Sequence, residues 1–199
     1  MLILAVDLGT ETLPALALGR DPAEPGIMEA QPRKRDARVV DRALLVRAWA
    51  VLGLVSAVLS LAGFFWVLLR AGWNPGDPTG AGTPLHEDWM RATTMSFAGI
   101  VASQVGTAFA SRVEHTSTSA IGWTTNPLLL WGIAFELAFA AALIYLPPLQ
   151  SVFGTRALGI DDIAILVTFP VIVWGVDELR RWHARRRVAE ETEDRNRPG

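Results

Sequence analysis

The chain has 199 residues, 51% of them hydrophobic, with a mean hydropathy of +0.30 and a formal charge of -2. Long apolar runs alternate with short polar stretches, which is the profile of a polytopic membrane protein and excludes an ordinary soluble domain. There is no cysteine, which excludes a disulfide framework and any thiolate site for a soft metal. The basic residues flank apolar runs instead of forming one basic face, which argues against nucleic acid as a partner.

Five spans are expected, because about 20 helical residues cross a hydrocarbon core. They cover residues 2–19, 44–69, 92–112, 128–146 and 162–179. Only helices or closed barrels satisfy every backbone polar group in lipid, and these runs are too continuous for alternating barrel strands. The fold class is therefore an all-α helical membrane bundle. The first span lacks a basic start and carries Asp7, Glu11 and Pro14, so it reads as a span and not as a cleaved signal. The second, LLVRAWAVLGLVSAVLSLAGFFWVLL, is long and apolar. The third, ATTMSFAGIVASQVGTAFASR, is rich in small residues, which suits close helix contact. The fourth ends at Pro147-Pro148, and the fifth contains Pro170 and runs into DELRR.

Positive charge gathers between the first two spans, from Arg20 to Arg47, and in the tail after Arg180. Such residues favour the cytoplasmic side, so the N-terminus is expected outside and the C-terminus inside, with a plasma-membrane location. Trp73, Trp89, Trp123 and Trp182 fall near span ends, where indoles prefer the interface. The loop 71–88 is Gly/Pro-rich and expected to be irregular. Residues 181–199 are expected to form a basic, then polar, cytoplasmic tail. Its RRWHARRR stretch would lie against anionic headgroups. His86, His115 and His183 have no metal-like spacing and read as surface residues.

The polar residues inside the spans carry the functional signal. On a regular helix, Asp7, Thr10 and Glu11 at i, i+3 and i+4 share one face. Pro14 has no N–H for the Thr10 carbonyl, and Gly9 eases local unwinding. The result is an all-oxygen set suited to a hard cation: Ca²⁺, Mg²⁺, Na⁺ or K⁺. A carboxylate at the centre of a span costs about 2.5–3.5 kcal/mol on insertion scales, so two on one face call for a ligand. The bland alternative is a frayed, solvated N-terminus. Gln104 and Thr107 in the third span could be ligands or interhelical glue. Glu136, alone in the middle of the fourth span, reads as a ligand or proton carrier.

DLGTETLPALALG followed by DPAEPGIM resembles the sixth transmembrane helix and following loop of P-type cation-transporting ATPases, the group of the calcium and sodium/potassium pumps. The resemblance continues through ASQVGTAFASR and NPLLLWGIAFELAFAAALIYLPPLQSVFG, and ends at DELRRWHARRR. It implies that the five spans correspond to helices six to ten of a ten-helix pump. It also implies metal-ligand roles for Asp7, Thr10, Glu11, Gln104 and Glu136. The position of Asp7 is Asn in calcium pumps and Asp in sodium/potassium pumps; the position of Glu11 is usually Asp. Gln104 matches the sodium/potassium pumps, where calcium pumps have Glu. Thr107 stands where the sodium/potassium pumps have Asp, which weakens any third sodium site.

The family's DKTG and TGES strings are absent, as is any Gly-rich phosphate loop. The expectation is the C-terminal membrane portion of a pump, a truncated or separately encoded piece with no ATPase activity of its own. ATP and Mg²⁺ would act only through the missing domains. The partners implied are the lipid bilayer and the missing N-terminal pump portion, helices one to five with the cytoplasmic domains. Two alternatives stand beside this reading. One is a stand-alone small membrane subunit that stabilises or regulates another transporter. The other is a proton-linked carrier built on Asp7, Glu11 and Glu136.

Overall fold

The structure, a computed structural model, describes residues 2–10, 12–23, 28, 40–114 and 116–195, and these form helices joined by turns. Glu11, most of the basic loop before residue 40, and His115 lie outside the described residues. The first span is made of α1 (Leu2–Ala5), a π-helical turn (Val6–Thr10) and α2 (Thr12–Leu18). The widened i→i+5 turn stands just before Pro14, whose missing N–H already breaks the regular ladder. The second span is continuous from Arg42 to Arg70. It comprises α3 (Arg42–Val46), a π-helical segment (Arg47–Gly53) and α4 (Leu54–Arg70).

The third span lies in α5 (His86–Ser111), which starts six residues before the expected boundary, with Glu87 and Asp88 in its first turn. Acidic residues there complement the positive end of the helix dipole. A short α6 (Thr118–Ile121) follows. The fourth span is α7 (Pro127–Tyr145), capped by Asn126. It stops because Leu146 precedes Pro147 and is extended. A short α8 (Pro147–Phe153) then occupies the loop. The fifth span departs from a single helix over 162–179. It divides into α9 (Ile160–Leu166) and α10 (Thr168–Arg195), since Pro170 cannot donate to the Leu166 carbonyl. The helix also runs through most of the expected tail.

Two of these helices, Arg42–Arg70 and Pro127–Tyr145, are long and apolar enough to cross a membrane by length and composition. α5 is less apolar because it sits inside the bundle. Its small residues touch α4 on one side and α10 on the other. A Cβ added at Gly106 would lie 2.5 Å from the Pro170 carbonyl oxygen, and one at Gly99 3.0 Å from the Phe169 ring. Gly132 of α7 similarly meets the backbone of Leu13 and Pro14. Glycine at these contacts lets backbones approach closely, as in many membrane bundles. The main core joins Val67 and Leu68 of α4, Met95 and Val101 of α5, and Leu143 of α7. Outward, large apolar side chains face away from the protein: Trp49 is 79% exposed and Trp131 75%. An apolar outer surface of this extent marks contact with membrane or with other helices.

Ion pairs hold both ends of the bundle. At one end Arg91 pairs with Asp162, Arg70 with Asp161, and Arg156 with Glu87. At the other, Arg112 grips Asp21 with two nitrogens and donates to the Gly122 carbonyl at 2.8 Å. Asn126 bridges the same cluster, donating to the Ala17 carbonyl at 2.8 Å and accepting from the Leu129 N–H.

Candidate functional site

Four helical segments converge on one cavity of about 490 Å³. The first span contributes Thr10 and Pro14, α4 contributes Ser56, α5 contributes Ser103, Gln104 and Thr107, and α7 contributes Glu136. Thr10 is 1% exposed, with its hydroxyl 2.8 Å from the Val6 carbonyl and 3.0 Å from Gln104 Oε1, donating to one or the other. This contact ties the first span to the third across 94 positions of sequence. Glu136 is also 1% exposed, so a carboxyl group is held inside the bundle. The bundle therefore gathers Thr10, Gln104, Thr107 and Glu136, although Gln104 and Thr107 were equally readable as packing groups.

Asp7 is placed differently. Its side chain is exposed and does not line the cavity. The expected shared face assumed regular α-helical geometry. The π-helical turn over Val6–Thr10 changes the angle between positions 7 and 10, so Thr10 turns inward while Asp7 turns out. Glu11, the other carboxylate of the motif, is outside the described residues.

The structure adds Ser103 to the set. It is 1% exposed, lines the cavity, and its hydroxyl has no hydrogen-bond partner among the described residues. A buried polar group of that kind costs free energy unless something satisfies it. Its adjacency to Gln104 was visible in the sequence, but the small-residue composition of the span hid it. Among the described residues no three His, Cys, Asp or Glu side chains converge. The cavity thus offers hydroxyl and amide oxygens around one carboxyl group. That donor set suits a hard, weakly chelated cation more than a tightly caged transition metal.

A second buried cluster lies beyond the cavity, at the end where α3 and α10 meet. Asp177 has no exposed surface and takes Arg47 at 2.7 Å, Arg181 at 2.7 Å and Arg180 at 2.9 Å. Arg47 and Arg181 also donate to the carbonyls of Ala110 and Val113 at the end of α5. Guanidinium groups there satisfy carbonyls that lack helical partners and complement the negative end of the helix dipole. The pairing of Asp177 with Arg180 and Arg181 was foreseeable from i, i+3 and i+4 spacing; the entry of Arg47 was not.

Residues 1–183 match the family model described as "Cation transporting ATPase, C-terminus". The chain is 29% identical over 192 residues to calcium-transporting ATPase 1 of Saccharomyces cerevisiae, covering 96% of this chain and 19% of that protein. It is 30% identical over 180 residues to calcium-transporting ATPase 1 of Bacillus cereus, covering 89% of this chain and 20% of that relative. It is 26% identical over 208 residues to potassium-transporting ATPase alpha chain 2 of Rattus norvegicus, covering 92% of this chain and 20% of that protein. The chain thus spans about a fifth of the length of these relatives. With a helical membrane bundle, polar groups of four spans meeting in its interior, and a family match running from the first span into α10, the chain belongs to the C-terminal membrane region of the P-type cation-transporting ATPases.

Proposed function

We propose that this chain supplies part of the transmembrane cation path of an ATP-driven P-type pump. The observation that carries the reading is the meeting of Thr10, Gln104 and Glu136 at one interior cavity, from three different spans. In this reading Thr10, Gln104 and Glu136 present oxygens to a hard cation, and Ser103 adds a fourth donor. Asp7 and Glu11 complete the site from the first span. The exposure of Asp7 fits a role completed by further helices packed on that side. Those helices, and the domains that bind ATP and Mg²⁺, come from the rest of the pump, the principal partner of this chain.

The chain crosses the bilayer five times, through α1–α2, α3–α4, α5, α7 and α9–α10. The arginine-rich end carrying Arg47, Arg112 and Arg181 faces the cytoplasm, which leaves the N-terminus outside. A plasma-membrane pump is the setting this orientation suits. The transported ion is of the class carried by the calcium- and potassium-transporting relatives.

The test is transport by a fusion of this chain to the upstream portion of a P-type pump, assayed in vesicles. Asp7→Ala with Glu11→Ala should abolish ion-dependent uptake, and Gln104→Leu should raise the half-saturating ion concentration about tenfold, the effect of about 1.4 kcal/mol. Wild-type uptake and ion affinity in both variants would remove these residues from the path.

A further inference from the structure

Beyond the oxygens that line the cavity, one charged side chain ties the first span to α5 at their shared end. Arg112 follows the last residue of α5, and its side chain has no exposed surface. Its Nε and Nη2 reach the two carboxylate oxygens of Asp21 at 3.1 and 3.0 Å. Nη1 donates to the Gly122 carbonyl at 2.8 Å, and Nη2 also donates to the Thr125 hydroxyl at 2.6 Å. Asn126 donates to the same Asp21 carboxylate at 3.1 Å. A planar fork engaged in this way fixes both the direction and the distance of its acceptor.

Stability alone does not account for the arrangement. Desolvation of a buried ion pair offsets most of its attraction, and neutral groups of similar shape often serve as well. The best-attested use of such a pair is to specify register.

The cation cavity depends on register between these same two segments. Thr10 and Gln104 meet side chain to side chain at 3.0 Å. Between that contact and Arg112, Ala17 and Ala108 belong to one apolar cluster with Leu129. Apolar contact is non-directional and permits sliding. Nor does the backbone of the first span set the height of Thr10 by itself, since its ladder is widened over Val6–Thr10 and interrupted at Pro14. Asp21 closes a turn onto the end of α2, its N–H on the Leu18 carbonyl at 3.1 Å, so Asp21 and α2 move together. Arg112 lies about 12 Å along the axis of α5 from Gln104. A slip of one helical turn, about 5.4 Å, would carry Thr10 out of reach of Gln104.

We propose that Arg112 is a positioning residue of the cation path: by holding Asp21 it fixes the axial register of the first span against α5 and keeps Thr10 on Gln104. The link to the cation rests on the path proposed above; the register does not.

The chain has no cysteine, so Ala15→Cys with Ala108→Cys, small residues that line the cavity from the two segments, gives a single thiol pair. Bridging by a short bis-methanethiosulfonate, read by mass spectrometry on the folded monomer of the full chain, reports the register. Arg112→Gln should slow bridging about tenfold, because an intramolecular link fails once its span is exceeded. Arg112→Lys, which keeps the charge but not the fork, should fall between the two. Arg112→Gln with Asp21→Asn neutralises both partners, leaves neither charge buried alone, and should slow bridging even if Arg112→Gln by itself fails to fold. Asp161→Asn, at the opposite end of the bundle, should bridge as the wild type does. In the pump fusion, the same paired variant should raise the half-saturating ion concentration about tenfold at unchanged maximal uptake, as for groups that orient ion ligands. Wild-type bridging in the paired variant overturns the proposal, and so does equally slow bridging in Asp161→Asn, which would report general loosening. Normal half-saturation in the paired variant, in a fusion where Gln104→Leu weakens the ion, overturns the assignment to the path. Normal half-saturation in Gln104→Leu itself overturns the path, and the register then stands or falls on bridging alone.

Discussion

Arg47 and Asp177, 130 positions apart, meet in a two-point ion pair, Nε to Oδ1 at 3.1 Å and Nη2 to Oδ2 at 2.7 Å. The pair joins the start of the second span to the end of the fifth and closes over the last carbonyls of α5. Asp177→Asn should therefore destabilise the bundle by about 3–5 kcal/mol, because it leaves Arg47 buried without its counter-charge and Arg181 with Glu178 alone. Loss of helicity on titration with a denaturing detergent checks this. A midpoint unchanged from wild type would show that the cluster contributes nothing.

The approach of α5 to α10 makes a second, steric prediction. Gly106→Ala puts a methyl group 2.5 Å from the Pro170 carbonyl oxygen and 2.9 Å from Pro170 Cα. Both are backbone atoms that cannot swing aside, so the helices must separate. The expected cost is about 1–3 kcal/mol, typical of overpacking. Gly175→Ala, where an added methyl meets nothing, serves as the control in the same unfolding assay.

Asn126 does three jobs through one side chain. It caps α7 by accepting from the Leu129 N–H at 3.0 Å, and its amide nitrogen donates to the Ala17 carbonyl at 2.8 Å and to Asp21 at 3.1 Å. Asn126→Ala loses the cap and both donated bonds, and should cost at least about 1 kcal/mol, the loss expected from the cap alone. The midpoint of the same detergent titration reads this, and wild-type stability in Asn126→Ala would show that the cap is not used.

A pH dependence follows from Glu87, in the first turn of α5 ahead of its span. The hydrogen bond from Arg156 holds its carboxyl below the usual carboxylate range, against a smaller opposing effect of desolvation. Because the folded-state value lies below the unfolded one, the pair's contribution is present above the unfolded pKa. It is lost as pH falls through the folded value. The expected readout is a carboxyl NMR titration in which Arg156→Gln moves the Glu87 midpoint upward. A midpoint that does not move would dissolve the link between the two residues.

Much of this architecture was legible in the residues alone. Apolar length set the helices, since lipid forces backbone groups to bond within the chain. Pro14, Pro147 and Pro170 marked where the ladder must break, and each break falls nearby in the structure. Glycines of the third span announced close contact, and Gly106 against Pro170 is such a contact. The polar residues at Thr10, Gln104 and Glu136 could be named because a buried oxygen in an apolar run is conspicuous.

Their meeting could not be read the same way. Helical periodicity relates side chains within one helix but says nothing of how neighbouring helices are rotated about their own axes. That rotation brings Thr10 to Gln104, and Arg47 to Asp177. The π-helical turn over Val6–Thr10 is the clearest case, since one wider turn sends Thr10 inward and Asp7 outward. The sequence by itself determined which segments are helical and which oxygens sit among apolar neighbours, because both follow from local chemistry. Only the tertiary structure decided which of those oxygens face a common cavity, because helix rotation is settled by packing between segments far apart in the chain.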